Sequence, residues 1–202
     1  MMKKVCLVLA LMLCALTGSM SAQTAKSVLD KCAAVVSDKN GVQASFSMES
    51  AQYSKVKGTI AVKGRMFRAT TDVAVMWFDG KTQWTYLKKN SEVSVTTPTE
   101  TQIEALNPYN FINMYKQGFK YTMTTSAQSY NVHLTATDAK RKIQELFITI
   151  DKKTYAPSEV KLLQGTKWTT FTITGLKKAN LSDDAFRFNR KEYPNAEVID
   201  LR

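Results

Sequence analysis

The feature that most restricts what this chain can fold into is a two-residue alternation of apolar and polar side chains, repeated in one short run after another. Val42, Ala44, Phe46 and Met48 alternate with Gln43, Ser45, Ser47 and Glu49, and Ile60 and Val62 with Thr59, Ala61 and Lys63. Phe67 follows between Met66 and Arg68, and Val93 with Val95 makes another run. Phe119, Tyr121 and Met123; Tyr130, Val132 and Leu134; Leu146, Ile148 and Ile150; Val160 and Leu162; Phe171 and Ile173; and finally Phe186 and Phe188 continue it. Period two sends successive side chains to opposite sides of a strand, so such runs have one dry and one wet face. Regular short strands joined by turns predict one large, curved antiparallel sheet, a sandwich or a barrel.

The stretch VAVMWFDGKTQWTY, residues 73–86, fixes one hairpin. Asp79-Gly80 between apolar runs is a strong two-residue turn signal. With those two at the tip, Phe78 faces Lys81, Trp77 faces Thr82, Val75 faces Trp84 and Val73 faces Tyr86. One face then carries Val73, Val75, Trp77, Trp84 and Tyr86. The other carries Ala74, Met76 and Phe78 with Lys81, Gln83 and Thr85.

Helical spacing occurs in two places. Over residues 25–38, Val28, Leu29, Cys32, Val35 and Val36 form an apolar stripe that ends at Asn40-Gly41. Cys32 on that stripe reads as a small core residue. After Pro98, Thr99 with Gln102 predicts a capping box for a short helix bearing Ile103 and Leu106. Asn107-Pro108 then starts a second helix running to Gly118, in which Phe111 and Tyr115 share a face with Ile112 and Met114 nearby.

Residues 1–22 carry Lys3 and Lys4, the apolar run VCLVLALMLCAL and the small-residue run SMSA, the pattern of a cleaved export signal. Cleavage after Ser21 fits the pattern; cleavage after Ala22 is preferred. Leu13 is too bulky for the lipidation motif that Cys14 would need. Residues 23–202 then form a single domain with a substantial core, exported and without a membrane-spanning stretch. Cys6 and Cys14 leave with the signal, so Cys32 has no partner and no disulfide framework exists. Losing Lys3 and Lys4 lowers the net charge from +11 to +9. That field can favour anionic membrane surfaces or acidic proteins, with nucleic acid a poor match for an exported chain. The lysines are scattered with no long basic run, so a merely solvated surface is the default reading.

Catalytic material is sparse. The lone histidine, His133, lies on the polar side of its run with no metal-ligand spacing around it. There is no G-x-S-x-G elbow and no glycine-rich phosphate loop. Ser182-Asp183-Asp184 reads as turn chemistry. A large sheet with only a few helical turns to cover its dry face leaves two readings open: a packed core, or an apolar pocket for a lipid. A structural envelope protein that docks an acidic partner would have the first, and a hydrolase would have to use His133.

The order of features resembles the periplasmic carriers of outer-membrane lipoproteins, the LolA-like family. The resemblance lies in GTIAVKGRMFRA, FDGKTQWTYL, NPYNFINMY, ELFITIDKKTYAPSEVKL, FTITGLKKANLSDDAFRFN and EVIDLR, which together span most of residues 23–202. It implies a mainly β fold, an incomplete antiparallel β-barrel with helices covering its concave face, that has no enzymatic activity and no cofactor. It implies a monomer that binds lipoprotein acyl chains or another lipid, touches the membrane surface transiently, and works between an inner-membrane releasing transporter and an outer-membrane acceptor. Strand parity taken with the resemblance gives a cavity wall of Phe46, Met48, Ile60, Val62, Phe67, Val75 and Trp84, under a lid of Ile103, Leu106, Phe111 and Met114. Family members often carry Lys-Arg-Pro at the strand matching Val62-Lys63, with the arginine holding the lid. Here Lys63-Gly64-Arg65-Met66-Phe67-Arg68 lacks the proline, leaving Arg65 as the nearest equivalent and Arg68 as the next.

Overall fold

The computed structural model describes residues 24–50, 55–99, 102–103 and 114–202. Helix α1 (Ala25–Val36) opens at Thr24, whose Oγ1 accepts the Ser27 N–H at 3.2 Å. Six strands follow: β1 (Val42–Ser50), β2 (Val56–Lys63), β3 (Met66–Thr71), β4 (Ala74–Phe78), β5 (Gln83–Leu87) and β6 (Glu92–Thr96). After the mid-chain connection come β7 (Phe119–Thr125), β8 (Ser129–Ala136), β9 (Ile143–Asp151), β10 (Pro157–Gln164) and β11 (Lys167–Lys178). Two 3-10 helices, Asp183–Phe186 and Arg190–Glu192, lead to β12 (Glu197–Asp200). The residues 1–22 expected as a signal lie outside the described residues, as do Leu106 and Phe111.

All twelve described strands belong to one unclosed sheet in the order β12-β6-β5-β4-β3-β2-β1-β11-β10-β9-β8-β7. Two runs of sequential hairpins meet at its centre, where β1 pairs antiparallel with β11. A flat sheet of this size would be about 50 Å wide at roughly 4.8 Å per strand. α1, with 12 residues, is only about 18 Å long. Yet its Val28, Leu29, Cys32 and Val36 share one cluster with residues from β1 to β4 and from β7 to β11. The sheet therefore curls around the helix, giving the incomplete barrel that the resemblance implies.

Register corrects the hairpin. Asp79 pairs with Thr82 through its N–H at 3.2 Å, Phe78 lies opposite Gln83, Trp77 opposite Trp84 and Val75 opposite Tyr86. The tip is thus Gly80-Lys81, one residue later than expected. The cause is the Asp79 carboxylate, which accepts the N–H groups of Lys81 (3.1 Å) and Thr82 (2.9 Å) and closes the turn locally. Gly80 takes the required positive φ of 96°. Because every partner shifts by two, the membership of each face is unchanged.

The expected strand through Phe186 and Phe188 is absent. Phe186 ends a 3-10 helix that starts at Asp183 after the cap Ser182, and the strand lies further on, as β12 beside β6 in parallel. The segment between is strapped along the outer face. Lys63 Nζ donates to Asp183 Oδ1 (2.8 Å) and the Leu181 carbonyl (2.9 Å), and Arg187 meets Asp79 at 3.3 Å.

Gly58 marks the tightest backbone approach in the left half. A Cβ there would stand 2.3 Å from the Thr70 carbonyl oxygen and 3.0 Å from the Phe46 ring. The carbonyl is held by its ladder and has no room to retreat. Gly58→Ala is expected to cost about 1–3 kcal/mol, read as a lower urea midpoint at unchanged slope.

Candidate functional site

The concave face is divided into a sealed floor and a half-open border. Ile60, Val62 and Phe67 are 3 %, 3 % and 1 % exposed and lie in the same cluster as α1. Phe46 and Met48 are half-buried further along β1, opposite Ile173 and Phe171 of β11. Met76, Met123 and Phe171 are also half-buried and pack against the cluster. Methionine and aromatic side chains adapt their shape to what they touch.

Val75 and Trp84 do not join this wall. Phe67 pairs with Phe78 and Thr70 with Val75, so Val75, Trp77, Trp84 and Tyr86 project from the opposite, outer face. There they meet the C-terminal segment. Tyr193 lies 5.4 Å from Trp77 and 4.7 Å from Tyr86, Phe188 lies 5.8 Å from Trp77, and Trp84 packs against a second core of Val93, Val95 and Ala196. The aromatic face of the hairpin is a structural joint. The face expected to be mixed supplies the fully buried Phe78 to the main core instead.

The two arginines expected to hold a lid differ in placement. Arg65 is exposed beside Gly64 in the β2–β3 turn. Arg68 is on the outer face, with its guanidinium 5.8 Å above the Trp77 ring.

The connection between β6 and β7 is anchored at both described ends. Thr99 and Gln102 form the expected capping box, with the Thr99 N–H donating to Gln102 Oε1 (2.8 Å) and the Gln102 N–H to Thr99 Oγ1 (3.4 Å). Ile103 is 7 % exposed in the main core, and Met114 packs half-buried against it. Tyr115, 4 % exposed, donates its hydroxyl to Asp30 of α1, which also accepts Lys26 at 2.8 Å. Lys26 first, then Tyr115, hold the Asp30 carboxyl below its usual range. Burial first, then the facing carboxylate, push the Tyr115 hydroxyl above its usual range. The sequence places Tyr115 on an apolar helix face but gives no sign of Asp30, which reads as one more solvated helix residue.

Two grooves complete the relief. One, of about 550 Å³, lies among Ser45, Ser47, Thr59, Thr70, Thr172 and Thr174. The other, of about 610 Å³, lies between Gln83, Thr96, Pro98, Gln102, Leu201 and Arg202, where Gln83 Oε1 is buried without a hydrogen-bond donor among the described residues. Both are lined mainly by polar residues. His133 Nε2–H donates to the Glu145 carboxylate at 2.9 Å, has Thr135 Oγ1 at 3.5 Å and stacks on Phe147 at 4.1 Å, an outer-face arrangement. No group of three His, Cys, Asp or Glu among the described residues is placed to hold a metal. Nor is any described helix long and apolar enough to cross a membrane.

The family model described as outer membrane lipoprotein carrier protein LolA matches residues 16–166. An uncharacterised conserved protein from Thermus thermophilus has the same fold, with a TM-score of 0.58 at 13 % identity over 87 % of this chain and 98 % of that one. A LolA superfamily protein from Nitrosomonas europaea aligns at 0.46 and 11 % identity, over 82 % of this chain and 98 % of that one. A putative outer membrane lipoprotein-sorting protein domain from Vibrio parahaemolyticus aligns at 0.45 and 13 %, over 82 % and 96 %. No curated protein matches the sequence.

Cys32 is fully buried, and burial pushes its thiol pKa up to about 12. Only a thiolate is nucleophilic, so iodoacetamide is expected to leave native protein unlabelled and to label it fully in urea, by intact mass. The Asp30–Tyr115 tie gives a second expectation. Tyr115→Phe and Asp30→Asn each raise proteolytic cleavage between β6 and β7 several-fold, and the double variant cleaves no faster than the quicker single one. Asp30 is depressed in the folded state, so its contribution is complete above the ordinary value of 3.8 and disappears as pH falls through the lower folded value. Proteolysis of Asp30→Asn loses that acid dependence.

Proposed function

Because this chain belongs to the outer membrane lipoprotein carrier (LolA) family, we propose that it is a periplasmic carrier that takes the acyl chains of lipoproteins against its concave face and moves them from the inner to the outer membrane. On this reading residues 1–22 are a cleaved export signal, residues 23–202 work as one domain without enzymatic activity, and a releasing transporter and an acceptor act before and after it. The observation that carries the reading is the division of the concave face. A floor of Ile60, Val62 and Phe67 is sealed by α1 and by the anchored ends of the β6–β7 connection, and is bordered by half-buried Phe46, Met48, Met76, Met123 and Phe171.

The physics suits carriage. Each methylene withdrawn from water is worth about 0.8 kcal/mol, so one acyl chain represents on the order of 10 kcal/mol and does not cross an aqueous gap unaided. A cavity that stayed open would expose the same kind of surface in the unloaded protein. A cover that seats Ile103 and Tyr115 in the core when empty, and yields when a chain arrives, solves both problems with the same contacts. Leu106, Phe111 and Met114 complete that cover in this reading. Arg68 has no part in it, since it faces outward.

Native mass spectrometry of gently purified protein is expected to show bound lipid or lipoprotein. Phe46→Glu and Met48→Glu place a carboxylate at the border, where an acyl chain would strip its water. Each is expected to weaken binding of a fluorescent fatty acid at least about tenfold, with the thermal midpoint nearly unchanged because both sites are half-buried. Lipid-free protein together with variants that bind as the wild type does would remove the carrier assignment.

A further inference from the structure

Folding gathers cations that the sequence scatters. The Thr137 N–H donates to the Gly118 carbonyl at 3.0 Å and Lys120 pairs with Thr135, which sets the β8–β9 turn against the start of β7. The Arg141 guanidinium lies against Gly118, where a Cβ would meet its Nη2 at 2.6 Å, and stacks over Phe119 at 5.0 Å. Lys116, Lys120, Lys140, Arg141 and Lys142 therefore share one end of the sheet, and the four lysines are exposed. Among the described residues, none of the five has a carboxylate at ion-pair distance, whereas Lys26, Lys63, Lys178, Arg187 and Arg202 are each paired. Two acids lie near: Asp138, whose carboxylate accepts the Lys140 backbone N–H at 2.9 Å, and Asp30, which is hydrogen-bonded by Lys26 and Tyr115 and also feels the Lys116 charge.

Five cations outnumber the two nearby acids and repel one another, and the strand pairing, the turn and the stacking of Arg141 on Phe119 hold them together. What offsets that repulsion is a surface dense in fixed negative charge. The same end carries Met114 and Tyr115, where the β6–β7 connection rejoins the sheet over the apolar face. Cations grouped where the β6–β7 connection rejoins the apolar face match a surface that is anionic outside and hydrocarbon within. We propose that this end docks on anionic lipid headgroups and sets the end of the β6–β7 connection at the headgroup level. The purpose of the docking, loading or delivery of an acyl chain, rests on the carrier reading; the docking does not.

The test is co-sedimentation of full-length mature protein with phosphatidylglycerol–phosphatidylethanolamine vesicles and with phosphatidylcholine vesicles. Wild type is expected to bind the first and not the second, and to come off in high salt. Each cation near such a surface contributes about fivefold in partitioning, so Lys120→Gln, Lys140→Gln and Lys142→Gln together should lower binding on the order of a hundredfold. A control pair in the β5–β6 turn, Lys88→Gln with Lys89→Gln, should bind as wild type does. Equal binding to both vesicle types, or a triple variant that binds like the control pair, overturns the proposal. Uptake of a fluorescent fatty acid in vesicle-free solution separates the two readings. The triple variant should take it up normally, and wild type that binds vesicles but takes up none would sink the carrier reading while leaving the docking face in place.

Discussion

Everything in this fold depends on one apolar face of a twelve-stranded sheet having a single described α-helix to cover it. A face that wide stays dry only by curling, and the twelve-residue α1 sets how tightly. Burial is complete at Phe67, Leu134, Leu146, Ile148 and Val160, and falls off at Phe46, Tyr121 and Phe171. The floor is closed by α1 together with the seated ends of the β6–β7 connection, Ile103 and Tyr115, which share its cluster.

The outer face is handled by a different device. Its left half is as aromatic as the interior, yet it borrows no α-helix. Instead Phe188 and Tyr193 are laid across Trp77 and Tyr86, and two ion pairs, Lys63–Asp183 and Arg187–Asp79, pin the segment that carries them. These pairs are largely exposed on one side and contribute little energy singly. Their use is positional: they hold rings where edge-on packing does the stabilising.

Strand existence, α1 and the Thr99–Gln102 capping box were legible in the sequence because each depends on local period or local hydrogen bonding. Face membership within the Val73–Tyr86 hairpin survived a misplaced tip, since a shift of two partners preserves parity. What was not legible was parity between strands. Whether Phe67 lies opposite Trp77 or Phe78 is set by how the β3–β4 turn is spaced, and that one-residue choice moved Val75 and Trp84 out of the expected cavity wall. The same limit applies to β12, a four-residue strand whose partner β6 lies about a hundred residues earlier and whose own alternation is too short to read. Phe186 and Phe188 misled for the opposite reason. Their spacing of two came from a 3-10 turn followed by extended chain, and a periodicity of two positions carries no more information than that.

The parallel pairing of β12 with β6 also orders events in time. The two hairpin runs, β1 to β6 and β7 to β11, need only neighbouring contacts and can assemble as soon as each is free to pair. β6 meanwhile presents a bare edge, with Val93 and Val95 uncovered, until residues 197–201 arrive with the Glu197 N–H for Ser91 and the Leu201 N–H for Val95. For that interval the nascent molecule carries an open template for strand addition. Residues 197–201 are therefore a seal against self-association, and losing their pairing would show first as aggregation during folding rather than as lowered stability of the folded protein.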